Sequence, residues 1–189
     1  MMLAVLAAAL VAPMGCAPSV PPAPTTVRRI AVLPPCDATG RPLAQGALVT
    51  TYAAPAEGLG TILASAAREE LARQGFQIVD PGMVAAATAG RVPASPESAG
   101  EIVASGKLDA TALFIRVRRW EFTYPTMRTN EIIAALDVML VDAASRRIVW
   151  EVRRPTKPVP LHGELIGGQA DTVAAQDVMR EVFAALGPR

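Results

Sequence analysis

Apolar and polar positions alternate along this chain with two different periods, and the change of period marks the elements. The run RRIAVLPP, residues 28 to 35, carries Ile30, Ala31, Val32 and Leu33 without a polar break and ends at two prolines. A short continuous apolar run of this kind predicts an interior strand, and the proline pair stops its ladder. From Cys36 to Gly58 no period is visible, so a long loop is expected.

At Leu59 the spacing becomes helical. Leu59, Ile62, Leu63, Ala66, Ala67 and Leu71 share one side, Arg68, Glu69, Arg73 and Gln74 the other, and Gly75 supplies the stop. FQIVD, residues 76 to 80, predicts a second strand. Asp80 with Pro81, and Ser95 with Pro96, have the chemistry of helix starts, the second helix running from Glu97 to Ser105 and ending at Gly106.

The second half is rich in branched and aromatic residues. Strands are expected over residues 110 to 122, 131 to 143 and 146 to 154, the last two joined by a turn short enough for an antiparallel hairpin. The segment RPTKPVPLHGELIGGQA, residues 154 to 170, is too rich in Pro and Gly to be regular, and Val173 to Leu186 predicts a closing amphipathic helix. The sum is an α/β fold with a mixed sheet of roughly five strands and about four helices.

The first residues follow a different logic. Residues 3 to 12, LAVLAAALVA, are uniformly apolar but well short of the roughly 20 residues that cross a bilayer, so they read as the apolar core of an export signal. APMGC, Ala12 to Cys16, follows, then the proline-rich APSVPPAPTT, which would stay extended as a tether. This order resembles the lipobox of bacterial lipoproteins, with Gly15 before the cut and a diacylglyceryl group on Cys16. Pro13 stands where that pattern usually has leucine, and no Lys or Arg precedes the apolar run, so an ordinary signal cut near Ala17 is the alternative. The expected organisation is a signal over 1–15, a lipidated cysteine and tether over 16–27, and one domain over 28–189.

Composition narrows function mostly by exclusion. Eighteen basic residues against seventeen acidic ones give a formal charge of +1, which leaves no global field to attract nucleic acid. His162 is the only histidine, so a metal site built from several histidines is ruled out and no metal or cofactor is expected. A Cys36 and His162 dyad, as in a small hydrolase, lacks any flanking nucleophile signature. Gly100 to Leu108 has the wrong glycine spacing for a phosphate loop, and Gly58-x-Gly60 is followed by Leu63 rather than a third glycine.

Binding candidates remain. Strict alternation along residues 110 to 122 would put Arg116, Arg118 and Trp120 on one sheet face and Leu113, Ile115 and Val117 on the other. With Arg153 of the last strand these form a candidate partner-binding surface, unless Asp137 and Glu151 neutralise it. The apolar Leu161, Leu165 and Ile166 of the 154 to 170 segment form a second.

Four stretches together carry a family resemblance: Val32 to Pro35, the helix ending at Gly75 before FQIVD, Lys107 to Ala110, and Leu140 to Glu151 with its LVD-turn-VWE hairpin. The chain resembles bacterial envelope lipoproteins with a TolB N-terminal-domain-like fold, related in fold to CsgG and LpoB. Lys107 and Leu108 replace the Gly-Ala pair usual in that pattern. The resemblance implies a non-enzymatic periplasmic domain tethered by its lipid and acting by contact with an envelope protein partner, and Ala17, where lipoproteins of this kind retained at the inner membrane often have aspartate, leads to the expectation of the periplasmic face of the outer membrane. The apolar 154 to 170 segment and the basic strand face leave an auxiliary lipoprotein of a lipid or solute transporter as the alternative role.

Overall fold

The computed structural model describes residues 24, 26–40, 58–123, 131–161 and 168–187. In chain order the elements are β1 (Arg29–Val32), β2 (Cys36–Asp37), α1 (Leu59–Arg73), β3 (Gln77–Ile78), α2 (Pro81–Thr88), α3 (Pro96–Ser105), β4 (Thr111–Thr123), β5 (Glu131–Val141), β6 (Ile148–Pro160) and α4 (Gly168–Phe183), with a 3-10 turn over Ala184–Leu186. The strands form one sheet in the order β3-β1-β4-β5-β6, with β2 beside β4. β1 lies parallel to β3 and β4, whereas β4, β5 and β6 form an antiparallel meander. The α/β class and the mixed sheet are as expected, with a sixth strand.

That sixth strand comes from the proline pair. Leu33 N–H still bonds to Leu113 O, but Pro34 and Pro35 have no N–H to donate, and pairing resumes at Cys36 opposite Arg116. Four residues from Val32 to Cys36 span three from Leu113 to Arg116, so β1 and β2 act as one strand with an extra residue at its break.

Helices cover the sheet on both faces. α1 and α4 pack with Ile30, Val32, Leu113, Ile115, Leu136, Val138 and Leu140 in the larger core. α2 and α3 pack with Ala31, Leu33, Ala112, Phe114, Met139 and Val141 in the smaller one. Phe114 and Phe183 are among the largest fully buried side chains, each worth roughly 2–3 kcal/mol of transfer free energy. Caps hold the helices in register: Asp80 accepts from Gly82 and Met83 N–H at 2.8 and 3.2 Å, and Ser95 and Ser98 form a reciprocal box.

Two helices end in the same way with different residues. After α1, Gly75 at φ 92° bonds to Ala72 O and Phe76 to Leu71 O. After α3, Lys107 at φ 51° bonds to Ala104 O and Leu108 to Val103 O. Both are Schellman endings, whose left-handed residue is ordinarily glycine. In α3 the glycine sits one place earlier, at Gly106, where a Cβ would lie 2.4 Å from the Cβ of Ala87. Gly106 therefore serves the close approach of α2 and α3, and Lys107 takes the left-handed turn.

One expectation fails here. Residues 154 to 160 are not an irregular loop but the continuation of β6, paired with β5 as far as Pro160 opposite Glu131. β6 is an edge strand, where a proline's missing N–H leaves no interior ladder broken, so Pro155, Pro158 and Pro160 are tolerated.

Candidate functional site

Alternation in β4 holds through Val117 and then breaks. Arg116 pairs with Asp137 and Val117 with Leu136, but Arg119 pairs with Ala135, so Arg118 is the extra residue of a bulge. Beyond it the faces exchange. Trp120, opposite Ala134, packs against the α1 and α4 core and donates its indole N–H to Asp171 Oδ1 of α4 at 2.9 Å. The expectation that Trp120 shares a face with Arg116 and Arg118 is thereby corrected.

The three arginines of the expected set do come together. Arg116 of β4, Asp137 of β5 and Arg153 of β6 stand directly opposite one another in the ladder, and Cys36 of β2 extends the same row. Arg118 Nε lies 2.9 Å and Arg153 Nε 3.2 Å from Asp137 Oδ1, and Arg116 Nη1 lies 3.9 Å from Oδ2. The Asp137 side chain is 2% exposed; those of Arg116, Arg118 and Arg153 are 43%, 34% and 69% exposed. One buried carboxylate thus lies under three accessible guanidinium groups. Neither Nε aims a hydrogen bond at Oδ1, which is left without one, while Arg118 Nη2 donates to Arg154 O at 2.9 Å.

The neighbouring charges set the balance on this half of the sheet. Arg119 is held by Glu121 through its Nε at 3.0 Å and its Nη2 at 2.7 Å. Glu151, opposite Met139, is the next residue of β6 on the Asp137 side and is exposed. Four guanidinium groups therefore meet three carboxylates.

Arg154 went unnoticed in the sequence, yet it is the most buried arginine described. Its side chain is 2% exposed, beneath α4 on the opposite face from Arg153. It donates to the carbonyls of Ala134 and Lys157 and pairs with Glu181 at 3.1 Å, and Lys157 reaches the other Glu181 oxygen at 2.6 Å. A signal was available, because Arg154 follows Trp150 and Val152 at alternate positions and so falls in the core-facing series. Its role is to tie β6 to α4.

Leu161 is buried, as is Val159 in the core. The part of the 154 to 170 segment that can be placed therefore packs back onto the domain, which removes that part of the apolar surface. Leu165, Ile166, His162 and Cys16 lie outside the described residues. Cys36 is a free thiol, half-buried against the smaller core. Among the described residues no group of three or more His, Cys, Asp or Glu could hold a metal ion, and no helix is long and apolar enough to cross a membrane. A shallow groove elsewhere, between the start of β1 and the end of α3, is lined by Arg28, Arg29, Lys107, Asp109 and Asp142.

With this geometry in hand, known structures give a match. The PelC dodecamer from Paraburkholderia phytofirmans is 16% identical over 89% of this chain and 94% of that one, with a TM-score of 0.51, and a point variant of it in another crystal form reaches 0.54 at 17% identity. The chain shares its fold with PelC. Protein XCC0632 from Xanthomonas campestris, 17% identical over 88% of this chain and 91% of that one, has a TM-score of 0.51, and E. coli LpoB, 12% identical over 85% and 79%, has 0.46. No family model matches the sequence, and no curated protein does. At these identities PelC and XCC0632 establish the architecture alone.

Proposed function

We propose that this protein is a lipid-anchored domain on the periplasmic face of the outer membrane, acting without chemistry of its own by contact with a protein partner of the cell envelope. One observation carries the proposal: an apolar run, Gly15, Cys16 and a proline-rich tether lead directly into a domain with the fold of PelC. Lipid on Cys16 would fix the domain near the membrane, and the tether over 16–27 would let it reach a partner. Ala17 after the cysteine, where inner-membrane retention often uses aspartate, supports the outer membrane.

The contact surface in this reading is the half of the sheet that presents Arg116, Arg118 and Arg153. Arginine suits such a role because its planar fork binds carboxylates and phosphates in two-point fashion. Photo-cross-linking in intact cells from positions 116 and 153, with position 101 on α3 as a control, tests it. A discrete protein adduct from 116 and 153 that is missing from 101 is the expected result. The same adducts from all three positions, or none from 116 and 153, would reject this surface.

A further inference from the structure

The geometry over Asp137 points to a more specific property than a general contact surface: we propose that Arg116 and Arg153, held in place by Asp137, form a binding site for a phosphate group. This goes beyond the anchored-domain reading and stands whether or not Cys16 carries lipid.

Arg116 and Arg153 flank Asp137 on the two neighbouring strands, so their backbones are two strand spacings apart, about 9.5 Å. Two side chains of that length, rising from the same face across that gap, can close on one tetrahedral anion between them. A carboxylate at the centre keeps both guanidinium groups from turning away along their own strands.

Burial distinguishes this arrangement from a self-neutralised surface. Asp137 is 2% exposed, and the cost of burying a carboxylate is normally offset by aligned hydrogen bonds. Here Oδ1 accepts none, although two Nε atoms stand within 3.2 Å of it. Charge attraction holds the arginines near Oδ1 without an aligned N–H. Arg118 spends its Nη2 on Arg154 O. Arg116 touches Asp137 only at 3.9 Å, and Arg153 is 69% exposed, so these two retain accessible donors. A guanidinium has five donors in a fixed fork that meets two oxygens of a phosphate at once. Of the competing acids, Glu121 is occupied by Arg119, and the exposed Glu151, two places from Arg153 on the same face, still leaves the four guanidinium groups in excess of the three carboxylates.

Asp137 is thus a positioning residue, and the two arginines are the ligands. The phosphate could belong to a free anion or to a phospholipid headgroup. The experiment uses the full-length protein in detergent, titrated with inorganic phosphate in one arm and with dihexanoyl phosphatidylglycerol in the other, while NMR follows the arginine Nε–Hε resonances. Both Arg116 and Arg153 should shift saturably, and Arg116→Gln or Arg153→Gln should weaken binding by about tenfold or more, the value of one charge-assisted contact. Arg119→Gln should leave it unchanged. A response to the lipid alone identifies a headgroup as the source, and a response to inorganic phosphate alone identifies a free anion; either supports the site.

Asp137→Asn separates orientation from net charge. It adds positive charge to the surface, so a diffuse electrostatic patch would bind more tightly, whereas an oriented site binds less tightly. Tighter binding in that variant, equal loss from Arg119→Gln, or no shift of Arg116 and Arg153 in either arm would overturn the proposal. Anchoring at Cys16 is unaffected by any of these outcomes.

Discussion

Trp120 of β4 donates its indole N–H to Asp171 of α4 across 2.9 Å, and this bond exists because a bulge at Arg118 turns the tryptophan toward the helix layer. Burial raises the pKa of the Asp171 carboxyl above the ordinary aspartate range, and the Trp120 hydrogen bond only partly opposes it.

The raised pKa has a definite sign for stability. The folded state keeps its proton to higher pH than the unfolded chain, so stability falls as pH climbs from the unfolded pKa to the folded one and is level above that. Asp171→Asn removes this loss while its amide oxygen can still accept from Trp120. The variant should therefore gain stability relative to the parent between pH 3 and pH 7, read as the difference in urea midpoint. An unchanged difference across that range would show that Asp171 does not titrate as described.

Asp137 and its arginines should respond unequally to substitution. Asp137→Asn leaves guanidinium groups converging on a neutral buried amide and should cost about 1–3 kcal/mol. Arg153→Gln, on a side chain 69% exposed, should cost less than about 1 kcal/mol. Denaturant unfolding of both variants checks the order; equal costs would mean that Asp137 is not the centre of the cluster.

The end of α3 offers a prediction of opposite signs at adjacent positions. Lys107→Gly relieves a left-handed side-chain residue and should stabilise by about 0.5–1 kcal/mol. Gly106→Ala drives a methyl into Ala87 and should destabilise by about 1–3 kcal/mol. Thermal melts of the two variants, moving in opposite directions, are the expected result. A gain from Gly106→Ala would place α2 farther from α3.

Much of the fold is legible in the sequence because hydrophobic period and capping chemistry agree locally. The helix from Leu59, the starts at Asp80 and Ser95 and the strands β4 and β5 are where those signals place them. What escaped notice are cases where tertiary context overrides a local rule. The prolines of β6 read as a loop because nothing local says that residues 154 to 160 lie at an edge. The bulge at Arg118 shows in the sequence only as two adjacent arginines, after which the core-facing apolar positions shift from Leu113, Ile115 and Val117 to Trp120, and strict alternation carried through that pair puts Trp120 on the wrong face. Convergence of Arg116 and Arg153 on Asp137 depends on the register of three strands, which alternation within one strand cannot supply.

Anchoring of the domain depends on Cys16. Mass spectrometry of the mature protein extracted from membranes tests it directly: the expected result is an N-terminal peptide beginning at Cys16 and carrying a diacylglyceryl thioether, absent from Cys16→Ser. A mature chain beginning downstream of Cys16 with an unmodified amino terminus would contradict it.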